Sequence, residues 1–161
     1  MSSLPSLGPR GEGWVAIQFI IFAAIALAGL ALPGKWHGTE ATLAALVGWA
    51  LVGAGGVLAL AGIAGLRGGD ALTAVPHPRD EAQLVERGAY RLVRHPIYGG
   101  LVIAAAGWAL ARGSLAALVG AVALLVFFDL KRRREEAWLD ERFADYPAYR
   151  TRTRRFIPWL W

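Results

Sequence analysis

Apolar residues fall into three blocks along the chain, and most polar residues lie between or after them. Residues 14–32 carry no formal charge, and Gln18 is their only strongly polar side chain. Residues 41–66 are also free of charge. At a rise of about 1.5 Å per residue, each run crosses a hydrocarbon core about 30 Å thick, the second with length left for tilt. Both predict transmembrane helices. The first is too long for the apolar region of a signal peptide, and no basic stretch precedes it. A third block, 97–130, is interrupted at Arg112-Gly113-Ser114. Its arms, 97–111 and 115–130, reach roughly 22–24 Å as helices. They predict a tilted helical hairpin whose Arg112 snorkels to the far interface, with the second arm continuing as helix through Lys131. A shallow re-entrant pair is the alternative.

Composition supports a membrane location. Of 161 residues, 56% are hydrophobic and 18% charged, which excludes intrinsic disorder. The chain has no cysteine, so disulfides, thiolate metal sites and prenylation are excluded. Seventeen Lys and Arg against 12 Asp and Glu leave a net charge of +5. Five arginines lie in 67–94, and nine Lys or Arg lie from 131 onward, whereas the links 33–40 and 112–114 hold one basic residue each. The excess of positive charge on cytoplasmic segments puts the long loop and the tail inside. The expected architecture is therefore an all-α integral membrane protein. It has about four transmembrane helices, two plus a C-terminal hairpin, with a cytoplasmic C-terminal helix and both termini in the cytoplasm. Residues 1–66 form the N-terminal membrane helices, and 67–161 form a second region where chemistry is expected. Nucleic acid is not an expected partner, because the basic residues flank spans instead of forming a separate basic domain.

Six glycines stud the second span: Gly48, Gly53, Gly55, Gly56, Gly62 and Gly65. Close helix packing explains them, since small residues let backbones approach in lipid. A dinucleotide-binding glycine loop is rejected, because no strand precedes this run and no helix starts in it.

Two polar segments remain. In the first, Pro96 moves His95 away from helical geometry and takes the first turn of the next helix. Arg94, His95 and Tyr98 are then expected beside the open N–H groups of that helix, a seat for an anion. Lipid-phosphate binding by Arg91 and Arg94, with Tyr98 as an interfacial anchor, is the plainer reading. In the second segment, Lys131, Glu135 and Leu139 share one helix face, and Glu136, Asp140 and Phe143 the next. Leu139, Phe143 and Tyr146 form an apolar stripe, and the basic run 150–155 with Phe156, Trp159 and Trp161 reads as an interface anchor. His37, His77 and His95 lack a spacing that suggests a metal site.

The order Gly88-x-Tyr90-x-x-x-Arg94-His95-Pro96-x-Tyr98-x-Gly100, then an apolar hairpin, then Glu135-Glu136-x-x-Leu139-x-x-x-Phe143-x-x-Tyr146-x-x-Tyr149, resembles the isoprenylcysteine carboxyl methyltransferase family. The membrane phospholipid N-methyltransferases are its wider relatives. The likeness covers about residues 72–158. Ala89 stands where proline is usual, and Ala144 where glycine is usual. The resemblance implies an enzyme that uses S-adenosylmethionine without a Rossmann domain, in a cytosol-facing pocket between the Arg-His-Pro loop and the Glu-Glu helix. It implies that Tyr90, Arg94, His95, Tyr98 and Glu136 hold the cofactor. Lys131 would orient a lipophilic or small acceptor (carboxylate, thiol or amine), and Glu135 would serve as a catalytic group. Methyl transfer from a sulfonium needs alignment and exclusion of water more than acid–base chemistry. Only an amine acceptor calls for a base, with Glu135 or His95 as candidates. The expected location is a bacterial inner membrane. An NADPH-dependent membrane reductase and a non-catalytic scaffold are the competing readings, and the short chain, with no region to hold a long dinucleotide, weighs against the reductase. The sequence sets no oligomeric state.

Overall fold

The two charge-free runs become helices α1 (Glu12–Ala31) and α2 (Gly38–Arg67), both long and apolar enough to cross a membrane. The computed structural model describes residues 5, 7–34, 36–67, 71–73, 75, 77 and 83–158. The third block folds as α3 (Pro96–Arg112) and α4 (Leu115–Arg142), followed by the short α5 (Tyr146–Arg152). A 3-10 turn at Gly88–Arg91 precedes α3. Among the described residues the one extended pairing is a parallel bridge between Val93 and Arg154. The chain is therefore all-helical, as its patterning predicts. The fourth helix runs unbroken from the apolar arm into the charged segment. Residues 131–142 thus extend as a helical post beyond the apolar arm.

The most extensive helix contact is between α2 and α3, and it is a contact of backbones. Gly48 and Gly55 on α2 lie seven residues apart, as do Gly100 and Gly107 on α3, so each helix presents one smooth face to the other. A Cβ on Gly48 would stand 2.5 Å from the Ala111 nitrogen and 2.7 Å from the Gly107 carbonyl. Gly62 continues the face against Pro96 and Ile97, and Gly65 against the Tyr90 ring. Packing does not account for Gly53 and Gly56. Both look onto open space. The expectation that every glycine of α2 serves close approach holds only for the face turned to α3 and its preceding loop.

Helix α1 lies mainly against α4, with Trp14 near Phe127 and Phe22 near Phe128 at ring separations of 5.6 and 6.3 Å. Its last turn leaves carbonyls without helical partners. Two side chains from the α3–α4 turn reach this end: Arg112 Nε donates to the Gly29 carbonyl at 3.0 Å, and Ser114 Oγ adds a bond at 3.2 Å to that of Ala28, which also accepts from the Leu32 amide. Arg112 is thus tied to the last turn of α1. Ser114 also caps α4 by accepting from the Ala117 amide, and Gly113 supplies the left-handed residue (φ 61°) that ends α3.

The tail departs from its expected role as an interface anchor. Its backbone runs back along the loop before α3: Arg94 N donates to the Arg154 carbonyl at 2.8 Å, His95 N to that of Arg155 at 2.9 Å, and Arg154 N to that of Leu92 at 2.9 Å. Phe156 is buried in the same core as Phe127 and Phe128, with its carbonyl against Gly99. An exposed amphipathic anchor cannot make these contacts. Trp159 and Trp161 lie outside the described residues.

This packing separates two kinds of glycine in α2. Gly48→Ala puts a methyl against backbone that cannot rotate away, and the overpacking costs about 1–3 kcal/mol or more. Gly53→Ala meets nothing and replaces a poor helix former with the best one. The expected result is a clear fall in the thermal midpoint of detergent-purified Gly48→Ala, with Gly53→Ala unchanged or higher.

Candidate active site

The region before α3 is built around Pro96. It occupies the first helical position, and His95 is the cap residue at φ −127°, ψ 60°, out of helical geometry. The open anion seat expected at this helix end is covered by neighbours. Gly62 of α2 packs against Pro96 and the Ile97 nitrogen, and Phe156 abuts Gly99.

Arg94 is buried, only 9% exposed, so it does not reach lipid phosphate. Its guanidinium is spent within the protein. Nε donates to Glu136 Oε1 at 3.1 Å, while Nη1 donates to the carbonyls of Arg150 (3.0 Å) and Thr153 (2.6 Å) and to the Thr153 hydroxyl (3.3 Å). A cation thus holds the C-terminal end of α5, where carbonyls lack helical partners. Glu136 is 6% exposed and gathers three partners: Arg94, His95 Nε2 at 3.1 Å, and Arg132 Nη1 at 3.3 Å. Burial alone would raise its carboxyl. The hydrogen bond with His95, together with the charges around it and the Arg94 guanidinium, overrides burial and holds the group down to about 2.

The neighbouring glutamate faces the other way. Glu135 Oε2 accepts from the Tyr98 hydroxyl at 2.9 Å and lies 3.7 Å from His95 Nδ1. The His95 ring stacks on Tyr98 at 5.3 Å between centroids and 2° between planes, and Tyr98 stacks on Phe128 at 4.4 Å and 8°. Lys131, one turn before Glu135, places Nζ 5.2 Å over the Tyr98 ring and donates to Gln18 Oε1 at 2.7 Å.

These groups border a cavity of about 450 Å³, within the range of small-molecule sites. Six of the seven residues singled out from the sequence line it: Tyr90, Arg94, His95, Tyr98, Lys131 and Glu135. Glu136 does not; it stands one layer behind, gripping the loop. Four cavity residues were read as part of a mere apolar stripe or given no role: Gln18, Leu139, Phe143 and Tyr146. Tyr149 also lines the cavity, and its hydroxyl donates to the Tyr90 carbonyl at 2.8 Å.

Tyr146 is the most informative of these. It is 1% exposed, and its hydroxyl meets no hydrogen-bond partner among the described residues. Burial, then the nearby Glu136 and Glu135 charges, push the phenol well above its ordinary value, so it remains a protonated donor. A buried hydroxyl left without a partner costs about 1–3 kcal/mol, which a bound polar group in the cavity would offset. The repeat Tyr146-x-x-Tyr149 was visible in the sequence, but nothing local distinguished a site tyrosine from a packing one.

The Glu136 cluster makes a defined pH prediction. Its folded value, about 2, lies below the ordinary 4.5, so its contribution is complete above about pH 5, declines below 4.5 and is gone once the pH passes below about 2. The shift corresponds to stabilisation on the order of 3 kcal/mol. Thermal midpoints of wild type and Glu136→Gln should differ at pH 5 and converge toward pH 2. A gap that stays constant down to pH 2 would contradict the assignment.

Comparison with known proteins adds one finding. A family model described as phospholipid methyltransferase matches residues 43–146, more than half of the chain. No curated protein matches it individually. The matched region begins within α2, contains α3 and α4, and ends at Tyr146, so it holds both the loop wall and the Glu-Glu wall of the cavity. With these walls built from the matched segment and two apolar helices beside them, the chain belongs to the phospholipid methyltransferase family of membrane methyltransferases.

Proposed function

We propose that the protein is an S-adenosylmethionine-dependent methyltransferase of the isoprenylcysteine carboxyl methyltransferase type, acting on a lipophilic or small acceptor at the cytoplasmic face of a bacterial inner membrane. The observation that carries this reading is the cavity between the Arg-His-Pro loop and the Glu-Glu helix, lined by Tyr90, His95, Tyr98, Glu135 and Tyr146. In this reading α3 and the apolar arm of α4 complete four spans, residues 67–161 are the catalytic region, and both termini are cytoplasmic.

The residues present fit the cofactor. A volume of about 450 Å³ suits a nucleoside-sized ligand. When bound, S-adenosylmethionine supplies a methyl group carried on a sulfonium. Tyr90 offers an aromatic face to that cation, an attraction worth about 0.5–2 kcal/mol, while Tyr98, stacked between His95 and Phe128, holds the His95 ring. Glu135 is the carboxylate that meets the cavity, so it pairs with ammonium or ribose hydroxyl groups, and Tyr146 donates to an acceptor atom. Arg94 and Glu136 act through position: they fix the loop and the His95 ring. Lys131 orients the acceptor.

The family match alone leaves open a phospholipid N-methyltransferase. The buried Lys131 ammonium suits an acceptor with an anionic group, a carboxylate among them.

Calorimetry with S-adenosylhomocysteine tests the proposal on detergent-purified protein. Wild type should bind, with NADPH failing to compete. Tyr146→Phe should weaken binding about two- to tenfold, the worth of one hydrogen bond. The same variant should keep or raise the thermal midpoint, since it removes an unsatisfied buried hydroxyl. Wild-type protein that binds NADPH and ignores S-adenosylhomocysteine would overturn the reading.

A further inference from the structure

Helix α1 contributes one polar group to the cavity. Gln18 is the only strongly polar side chain in residues 14–32, and it lines the cavity from the membrane side. An amide in an apolar span is expensive unless hydrogen-bonded, so such a residue calls for a partner. That partner is Lys131, whose Nζ donates to Gln18 Oε1 at 2.7 Å. The register bringing them together is fixed by large side chains on either side: Trp14 against Phe127, and Phe22 against Phe128. Lys131 is 1% exposed, with its ammonium 5.2 Å over the Tyr98 ring, whose hydroxyl is bound to Glu135. From that point the cavity wall turns apolar, through Leu101 one turn deeper in α3 and Ile63 of α2. A cation in the wall of a cavity whose next residues are aliphatic matches an amphiphile with an anionic head. Helix α1 lies outside the segment the family model matches.

We infer that Gln18 is a positioning residue that holds the Lys131 ammonium at the membrane-side wall of the cavity to receive the anionic head of an amphiphilic acceptor. Naming that ligand the acceptor rests on the methyltransferase reading above; the subsite itself does not. Carboxylate and phosphate heads share the chemistry the pair recognises.

Binding of four ten-carbon probes to the chain in phosphatidylcholine nanodiscs tests this inference: decanoate, decyl phosphate, methyl decanoate and decylamine. At least one of the two anions should bind tighter than the neutral ester and the amine, on the order of tenfold, and which anion leads identifies the source of the head. Gln18→Leu should weaken the preferred anion about tenfold and leave S-adenosylhomocysteine affinity within twofold. Gln18→Glu keeps the oxygen that Lys131 bonds, so the thermal midpoint should hold, yet its negative charge should remove the preference for anions. That loss separates a ligand subsite from a merely structural contact, and it stands even if Gln18→Leu fails to fold. Decylamine binding as tightly as decanoate and decyl phosphate, or an anion preference retained in Gln18→Glu, would overturn the inference. Wild type that binds decanoate but not S-adenosylhomocysteine would leave the subsite standing and overturn the cofactor reading.

Discussion

A single buried carboxylate organises the half of this protein that holds the candidate site. Glu136 sits on the post that α4 extends past its apolar arm, where an unpaired charge would cost several kcal/mol. Its partners come from two directions, Arg132 one turn back on the same helix, and Arg94 with His95 from the loop before α3. Arg94 in turn bonds the last carbonyls of α5. The tail then pairs with the loop by backbone hydrogen bonds and seats Phe156 against Gly99. Loop and helix thus converge on one oxygen pair, and the tail joins them through Arg94. The arrangement has a direction: with Glu136 charged, the loop can only sit where its arginine and histidine reach that carboxylate.

The adjacent glutamate inherits its position from this. Successive helical residues point about 100° apart, so fixing Glu136 inward leaves Glu135 turned to the cavity. There it meets the Tyr98 hydroxyl, and Tyr98 lies between His95 and Phe128 in a stack of three rings. The same histidine touches both glutamates through different ring nitrogens. A structural ion cluster and a ligand-facing wall are therefore two sides of one piece of chain. Substitution of Glu136 disturbs the site without touching a ligand, whereas substitution of Glu135 changes what the ligand meets.

Much of this was legible in the sequence, and the rest was hidden for identifiable reasons. Charge-free runs of sufficient length specify α1 and α2, because lipid leaves a helix few alternatives. Pro96 announced the start of α3 through its effect on His95. The division of labour between Glu135 and Glu136 was not readable, since it depends on which face of α4 the loop covers. Nor was the docking of residues 153–156 on the loop: backbone pairing across some sixty positions leaves no local pattern, and the basic residues there do suggest a surface. Gly53 and Gly55 look alike in sequence and differ only in which neighbour α3 presents. Tyr146 was read by its ring, while its hydroxyl carries the information.

The cavity joins walls of different origin. The loop, the Glu-Glu post and the α2–α3 pair belong to the segment shared with the family, and the glycine face that locks α2 to α3 leaves that frame little freedom. Helix α1 is held differently, by aromatic contacts along α4 and by hydrogen bonds at its last turn. Its Gln18 side chain reaches a lysine that the frame supplies. On the reading proposed here, the rigid frame captures the cofactor, and α1 tunes the amine that meets the acceptor. A substitution at Gln18 can then change which acceptor is preferred without straining the Glu136 cluster, because Gln18 bonds Lys131 while Glu136 bonds Arg94, His95 and Arg132. Selectivity for the acceptor and assembly of the loop are in this way carried by separate hydrogen bonds on the same helix, five residues apart on α4.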